Sequence, residues 1–286
     1  RKIDSMPTPD QATLDRLLKG VDIPACPAVL TRLQNEIASP NASLSTIGAL
    51  IGSDVALAAS VLKAANSPAF GLSRKVSTIQ QALPVLGMRI ITSLVSGIAL
   101  RNAIGGGPRL DRFWDSSTRV AQLCARLTKE FRGVPADTAY SFGLFHDCGI
   151  AVLMGRFPDY RETLQLANST YDRPFTDIED ERHDTNHAVL GYLLCRNWGL
   201  PEEISNAALL HHDLSIFEPD ADTSAAKSRT LVSLATLAAH FVGSFMRMNE
   251  DAIWQRGGTA TMAHLGIDEN DLYDLREMAF ETLENM

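Results

Sequence analysis

Apolar residues recur every three to four positions over 11–18, 27–38, 44–64, 78–100, 113–131, 137–154, 185–198, 202–212 and 229–247. That is the period of helices with one buried face, and few alternating β-branched runs compete with it. The pattern predicts an all-α protein. Breaks fall where helices should stop: Ser39-Pro40-Asn41, Asn66-Ser67-Pro68, Gly133-Val134-Pro135 and Gly199-Leu200-Pro201. Ser77-Thr78-Ile79-Gln80 reads as a capping box, with Ser77 and Gln80 satisfying each other's orphan amides at the start of the next helix.

The deepest interruption is RNAIGGGPRLDR, 101–112. Three consecutive glycines carry a large backbone-entropy cost in a helix, and Pro108 lacks a donor. The break predicts a subdomain boundary, with an N-terminal helical part over 1–104 and a second helical part over 105–250. A terminal helical extension is expected over 251–286. Its helices could pack on the core or mediate self-association.

The chain's 286 residues suffice for one large core or two smaller ones. Hydrophobic residues make up 45% and charged residues 21%, as in ordinary globular proteins. The formal net charge of −8 gives no global field for nucleic acid or anionic lipid, so neither is expected as a partner. Residues 83–100 and 231–248 are apolar, but Pro84 and Arg89 interrupt the first, and Ser233, Thr236, His240 and Arg247 the second. Both read as buried helices rather than membrane spans. Cys26, Cys124, Cys148 and Cys195 form no CxxC pair, which fits free thiols in a reducing cytoplasm. No signal peptide is visible, and an opening Arg1 in place of methionine fits an output fragment of a longer protein.

Chemistry concentrates in the second half. All seven histidines lie at or after residue 146. GLFHDCG, 143–149, sets His146 beside Asp147; His183 and His187 are four apart, the spacing of one helical face; His211 and His212 follow the apolar run NAALL. Histidines together with a carboxylate are what a site needs to hold a divalent cation and generate hydroxide near neutral pH. HDTNH, 183–187, imitates a zinc-protease motif, but Asp184 is one methylene shorter than the usual glutamate and no third ligand is evident. A solvated or capping role suits His183 better. His240, in an apolar helix, and His264, beside Leu265 and Gly266, read as structural.

Several segments in order carry a family resemblance: IPACPAVLTRL (23–33), LIGSDVALAASVLKAANSPAFG (50–71), VSTIQQALPVLG (76–87), FWDSSTRVA (113–121), GLFHDCG, HAVLGYLLCRNWGLP (187–201) and ALLHHD (208–213). Together they resemble the HDOD domain, a divergent relative of the HD-superfamily phosphohydrolases that serves as a bacterial signal-transduction module. The resemblance implies an all-α fold, with an N-terminal helical subdomain on an HD-like core. An active HD enzyme would add a histidine from the helix before the pair and an aspartate from a late helix. Ser116 stands in the first place and Thr236 in the second; no histidine precedes His146, and no Asp or Glu occurs between Asp222 and Glu250. Neutral hydroxyls are weak substitutes for such ligands.

The expected function is therefore a non-catalytic output module, as in response regulators of two-component systems. It would act through contacts with a receiver domain or other signalling proteins. No cofactor is required, although His146, Asp147, His187, His211 and His212 could retain a vestigial divalent ion. The alternative is a metal-dependent phosphohydrolase acting on a nucleotide or cyclic dinucleotide, with substitute ligands from His187, His211, His212 or His183. A third reading keeps the inter-subdomain groove as a ligand sensor. Arg74, Lys75 and Arg89 would be its nearest cations.

Overall fold

A computed structural model describes residues 23–70, 72, 74–104, 108–219, 221, 223–248 and 251–286. Among these the chain is all-α, with no strand. The expected helix over 11–18 and the glycines at 105–107 lie outside the described residues. In order, the helices are α1 (Ala28–Ala38), α2 (Leu44–Gly52), α3 (Val55–Ala65), α4 (Ile79–Ile104), α5 (Pro108–Leu127), α6 (Ala136–Phe145) and α7 (Cys148–Arg156). Then follow α8 (Tyr160–Asn168), α9 (Phe175–His183), α10 (His187–Asn197), α11 (Glu202–Leu210), α12 (Thr223–Phe245), α13 (Ala252–Leu265) and α14 (Glu269–Glu284).

Side chains punctuate the helices as their chemistry requires. The run over 44–64 is two helices, because Asp54 turns extended and its carboxylate accepts from Leu57 N–H at 3.0 Å. At the start of α4 the cap lies one residue later than Ser77–Gln80. Thr78 Oγ1 accepts from Gln81 N–H at 3.3 Å, and Gln81 Oε1 accepts from Ser77 N–H at 2.9 Å. The helix begins at Ile79, so its third residue is Gln81 and not Gln80. Within α4, Gly87 adopts φ 72°, ψ 165°, and the helix kinks there. By length and composition α4 could cross a membrane, but over half of its apolar window is buried in the protein. It is the central helix of the N-terminal layer.

Helices α1, α2 and α3 pack on α4, which in turn packs on α6. Helices α5, α6, α7, α10, α11 and α12 form the HD-like core, with α8 and α9 paired beside it. The terminal extension packs on this core: α13 lies on α12 and reaches α8, and α14 lies on α12 and α5. One hydrophobic cluster runs from Leu30 through Trp198 and Phe241 to Leu283. Its fully buried aromatics include Trp198, Tyr140, Phe142, Phe145 and Phe241. Each removes roughly 150–250 Å² from water, worth a few kcal/mol at about 25 cal/mol/Å². The N-terminal layer is also tied in by polar bonds. Gln34 Nε2 donates to Trp198 O at 2.6 Å, and Trp198 Nε1 donates to Pro24 O at 2.8 Å.

Candidate metal centre

The apolar run over 137–154 is broken in the middle. His146 caps α6 with helical φ/ψ, and Asp147, at φ −104°, ψ 12°, leaves the helix before α7 starts at Cys148. Asp147 makes no side-chain cap bond to α7, so its carboxylate is available to the cleft. His183 and His187 do not share a helical face. Helix α9 ends at His183, Asp184 takes a left-handed conformation (φ 56°), and Asn186 caps the separate helix α10, accepting from Val189 N–H at 3.0 Å. His187 is therefore the first residue of α10.

Helices α7 and α10 approach closely at Gly149. A Cβ on Gly149 would lie 2.8 Å from His187 C and 2.9 Å from Gly191 N. That contact seats His187 against Asp147, with Nε2 3.5 Å from Oδ1. His211 ends α11 and brings its Nε2 to 3.2 Å from the same oxygen. His187 Nε2 lies 3.1 Å from His211 Nε2 and 2.9 Å from His212 Nε2. The four donor atoms of Asp147, His187, His211 and His212 all fall within 4.8 Å of one another.

The other ring nitrogens fix the tautomers. His187 Nδ1 faces Glu179 Oε2 at 2.6 Å, and His211 Nδ1 faces Ala208 O at 2.7 Å. A carboxylate and a carbonyl can only accept, so Nδ1 carries the hydrogen in both rings and Nε2 carries a lone pair. These lone pairs converge on Asp147 Oδ1, a buried oxygen with no hydrogen-bond partner of its own. Such a convergence of acceptors needs a positive charge, either protons or a cation.

The donors present fit a cation. An ion with bonds of about 2.0–2.2 Å in tetrahedral geometry places its donors about 3.3–3.6 Å apart. Four donor pairs here lie at 2.9, 3.1, 3.2 and 3.5 Å. Three imidazoles with one carboxylate suit zinc-class ions better than magnesium or calcium, which prefer shells of oxygen. Without an ion, protons fill the role. Burial lowers His187 but Glu179 more than offsets it, so this imidazole lies above its ordinary value. His211 is held low by burial, and His212 lies well below its ordinary range through burial and the neighbouring His211 and His187.

His146 stands outside this quartet. Its Nδ1 meets Gly143 O at 2.9 Å and its Nε2 meets Asp147 Oδ2 at 3.1 Å. Burial works against charge on both members of the pair, but their mutual attraction prevails, raising His146 and holding Asp147 well below the usual carboxylate range. His183 is engaged elsewhere, with Nε2 2.8 Å from Thr163 Oγ1 and its ring against Phe157 and Tyr160. His240 binds Asp251 at 2.6 Å and stacks on Trp254, and His264 meets Thr230 Oγ1 at 3.0 Å.

Ser116 lines a cleft of about 800 Å³ together with Asp147, His187 and His212, while Thr236 lines a small cavity behind His211 and His212. Arg89 does not reach the cleft. It pairs loosely with Asp137 (3.7 Å) and Glu203 (3.6 Å) beside a separate cavity. The cations on the cleft are Arg112 and Arg161.

Sequence reasoning missed Glu179. It is fully buried, accepts from His187 N–H at 3.2 Å as well as from the ring, and accepts from the Tyr160 hydroxyl. Its neighbours in TDIEDERHD make it look solvated. The available signal was its phase: Phe175, Ile178 and Glu179 share one stripe of α9, all buried.

The HDOD domain model matches residues 23–214. The chain belongs to the HDOD family. A curated relative, an uncharacterised protein of Treponema pallidum (strain Nichols), is 29% identical over 196 residues, 68% of this chain. The chain spans only 38% of that relative's length. Among solved structures, an HDOD domain protein of unknown function from Geobacter sulfurreducens matches with a TM-score of 0.60 at 22% identity, over 94% of this chain and 96% of that one. A candidate phosphohydrolase from Shewanella amazonensis SB2B matches with a TM-score of 0.67 at 22% identity, over 93% of each chain. A candidate signal-transduction protein from Marinobacter aquaeolei VT8 matches with a TM-score of 0.67 at 21% identity, over 94% of this chain and 59% of that one. These likenesses establish the HD-like helical fold of the HDOD family in this chain.

Proposed function

We propose that this HDOD protein is a non-catalytic signal-transduction module, acting in the bacterial cytoplasm through contacts with a receiver domain or another regulatory protein. The observation that carries this reading is the make-up of the quartet. Asp147 is its only carboxylate, and four protein donors already fill a tetrahedral shell. A catalytic zinc-type centre keeps three protein ligands and an open position for water. Here Asp147, His187, His211 and His212 would hold one divalent ion as a structural tie between the α6–α7 corner, the start of α10 and the end of α11. The likeness to the candidate signal-transduction protein of Marinobacter aquaeolei supports the same direction.

A second reading, metal-dependent phosphoester hydrolysis, is favoured by one feature. The 800 Å³ cleft brings Arg112 and Arg161 to the same opening as Asp147 and His187, where a phosphate could meet both. The two readings separate in one assay: bis(4-nitrophenyl) phosphate with added manganese, comparing the wild type with Asp147→Ala. The expected result is no turnover above the variant. Turnover that Asp147→Ala abolishes would overturn the non-catalytic reading.

A further inference from the structure

Ile253, in the first turn of α13, lines both the 800 Å³ cleft and the small cavity behind His211 and His212. His212 lines both spaces as well, so the wall between them includes this imidazole and this turn. Ile253 also packs against the cluster of Ala167, Phe175 and Ile178, and the Phe175 ring stacks on His212 at 5.5 Å with 7° between the planes. The turn lies beyond residue 214, where the HDOD match ends.

Apolar burial holds this turn only in part. Ala252 is buried, Ile253 and Trp254 are half-buried, and Gln255 is exposed. The rest of the hold is a latch to α12. Asp251 Oδ2 accepts from His240 Nδ1–H at 2.6 Å, Asp251 Oδ1 accepts from Trp254 N–H at 2.9 Å, and the His240 ring stacks on the Trp254 indole at 4.2 Å. The indole also lies over Gly258, where a Cβ would meet it at 2.8 Å. The ion pair is partly open to solvent, with the His240 side chain 20% and the Asp251 side chain 36% exposed. A segment held by few buried contacts and a part-exposed polar latch opens at lower free energy than the core around it.

We infer that the first turn of α13 is a gate, held shut by the His240–Asp251–Trp254 latch, that controls access to His211 and His212. Opening draws Ile253 away from Phe175 and His212 and joins the small cavity to the cleft. The ion that would pass the gate rests on the reading of the quartet as a metal centre; the exposure of the two imidazoles does not. Exchange of that ion then depends on a helix that supplies none of its ligands.

The test uses the full chain and two variants. His240→Ala removes the latch and leaves Asp251 capping Trp254; Asp251→Asn weakens the latch and keeps an acceptor for that cap. In metal-free protein, labelling by diethyl pyrocarbonate is followed by peptide mass spectrometry. His211 and His212 should label slowly in the wild type and roughly tenfold faster in His240→Ala, the low end for a lost hydrogen bond to a charged group because the pair is part exposed. Asp251→Asn should fall between. His183, held by Thr163, should label at one rate in all three proteins. In zinc-loaded protein, release to excess chelator should quicken by a similar factor with Kd unchanged, because an ion held equally in both gate positions favours neither. The gate is overturned by unchanged labelling of His211 and His212 in both variants, or by a parallel rise at His183, which would mean general loosening. Zinc release that is unchanged, or quickened only as far as Kd weakens, also overturns it. If the wild type binds no zinc, the metal reading of the quartet fails, and the labelling rates still decide the gate.

Discussion

Glu179 and His187 form a fully buried pair, Oε2 to Nδ1 at 2.6 Å, with neither side chain exposed. A carboxylate behind an imidazole fixes the tautomer and raises the basicity of the far nitrogen, the usual second support of a metal-bound histidine. Removing one partner leaves the other buried and uncompensated. Glu179→Ala should therefore cost about 3–5 kcal/mol in urea unfolding. Glu179→Gln keeps the shape and an acceptor and should cost clearly less, while reducing zinc affinity roughly 10- to 100-fold. An alanine variant as stable as the wild type would show that the pair does not hold α9 to α10.

The quartet predicts which variants lose an ion. Purified protein stripped with chelator and titrated with zinc should bind one equivalent per chain. Metal analysis after dialysis should find it missing from His212→Ala but retained in His146→Gln, because His146 spends its nitrogens on Gly143 O and Asp147 Oδ2. At free zinc about a hundredfold above Kd, Tm should rise by roughly 5–10 °C. Equal loss of zinc in both variants would return His146 to the ligand set.

The ion-free protein should show a two-sided pH dependence. His211 and His212 lie below their ordinary range, His212 well below, first through burial and then through neighbouring imidazoles. The folded state refuses protons that the unfolded chain accepts, so stability is lost as pH falls below about 6.5. His146 and His187 carry the opposite sign, being raised by Asp147 and Glu179 against the effect of burial. Their contribution is complete below about 6.5 and fades as pH rises through their folded values. His212→Asn should flatten the acid side and leave the alkaline side. Urea midpoints between about pH 5.5 and 8.5 would show this, and parallel acid-side curves would refute it.

The fold class was legible because most helices bury a continuous apolar stripe, and a 3.6-residue period survives in sequence whatever the tertiary context. The corner at His146–Asp147 was not legible. It interrupts the apolar run through the backbone of Asp147, with no glycine or proline at the corner itself. Helices α8 and α9 were missed because their stripes are thin; α9 buries only Phe175, Ile178 and Glu179. The candidate ligands were legible as residue types but not as a set. Spacing paired His183 with His187, whereas the left-handed turn at Asp184 sends them to different helices. What assembles the quartet is the approach of α7 to α10, a contact between glycines that leaves no periodic signal.

That approach gives the sharpest structural prediction. A methyl at Gly149 would press on backbone atoms of His187 and Gly191, which cannot rotate away as a side chain could. Gly149→Ala must therefore separate α7 from α10, moving His187 away from Asp147. A cost of about 1–3 kcal/mol is expected from overpacking, with zinc binding weakened in the same variant. Gly243 in α12 is the matched control. A Cβ there meets nothing within 4 Å, and the site is helical. Gly243→Ala should stabilise by about 0.5–1 kcal/mol through reduced backbone entropy, with zinc binding unchanged. Urea unfolding with zinc titration separates the two effects. If Gly149→Ala proved as stable as Gly243→Ala and bound zinc normally, close contact between α7 and α10 would not be what assembles the site.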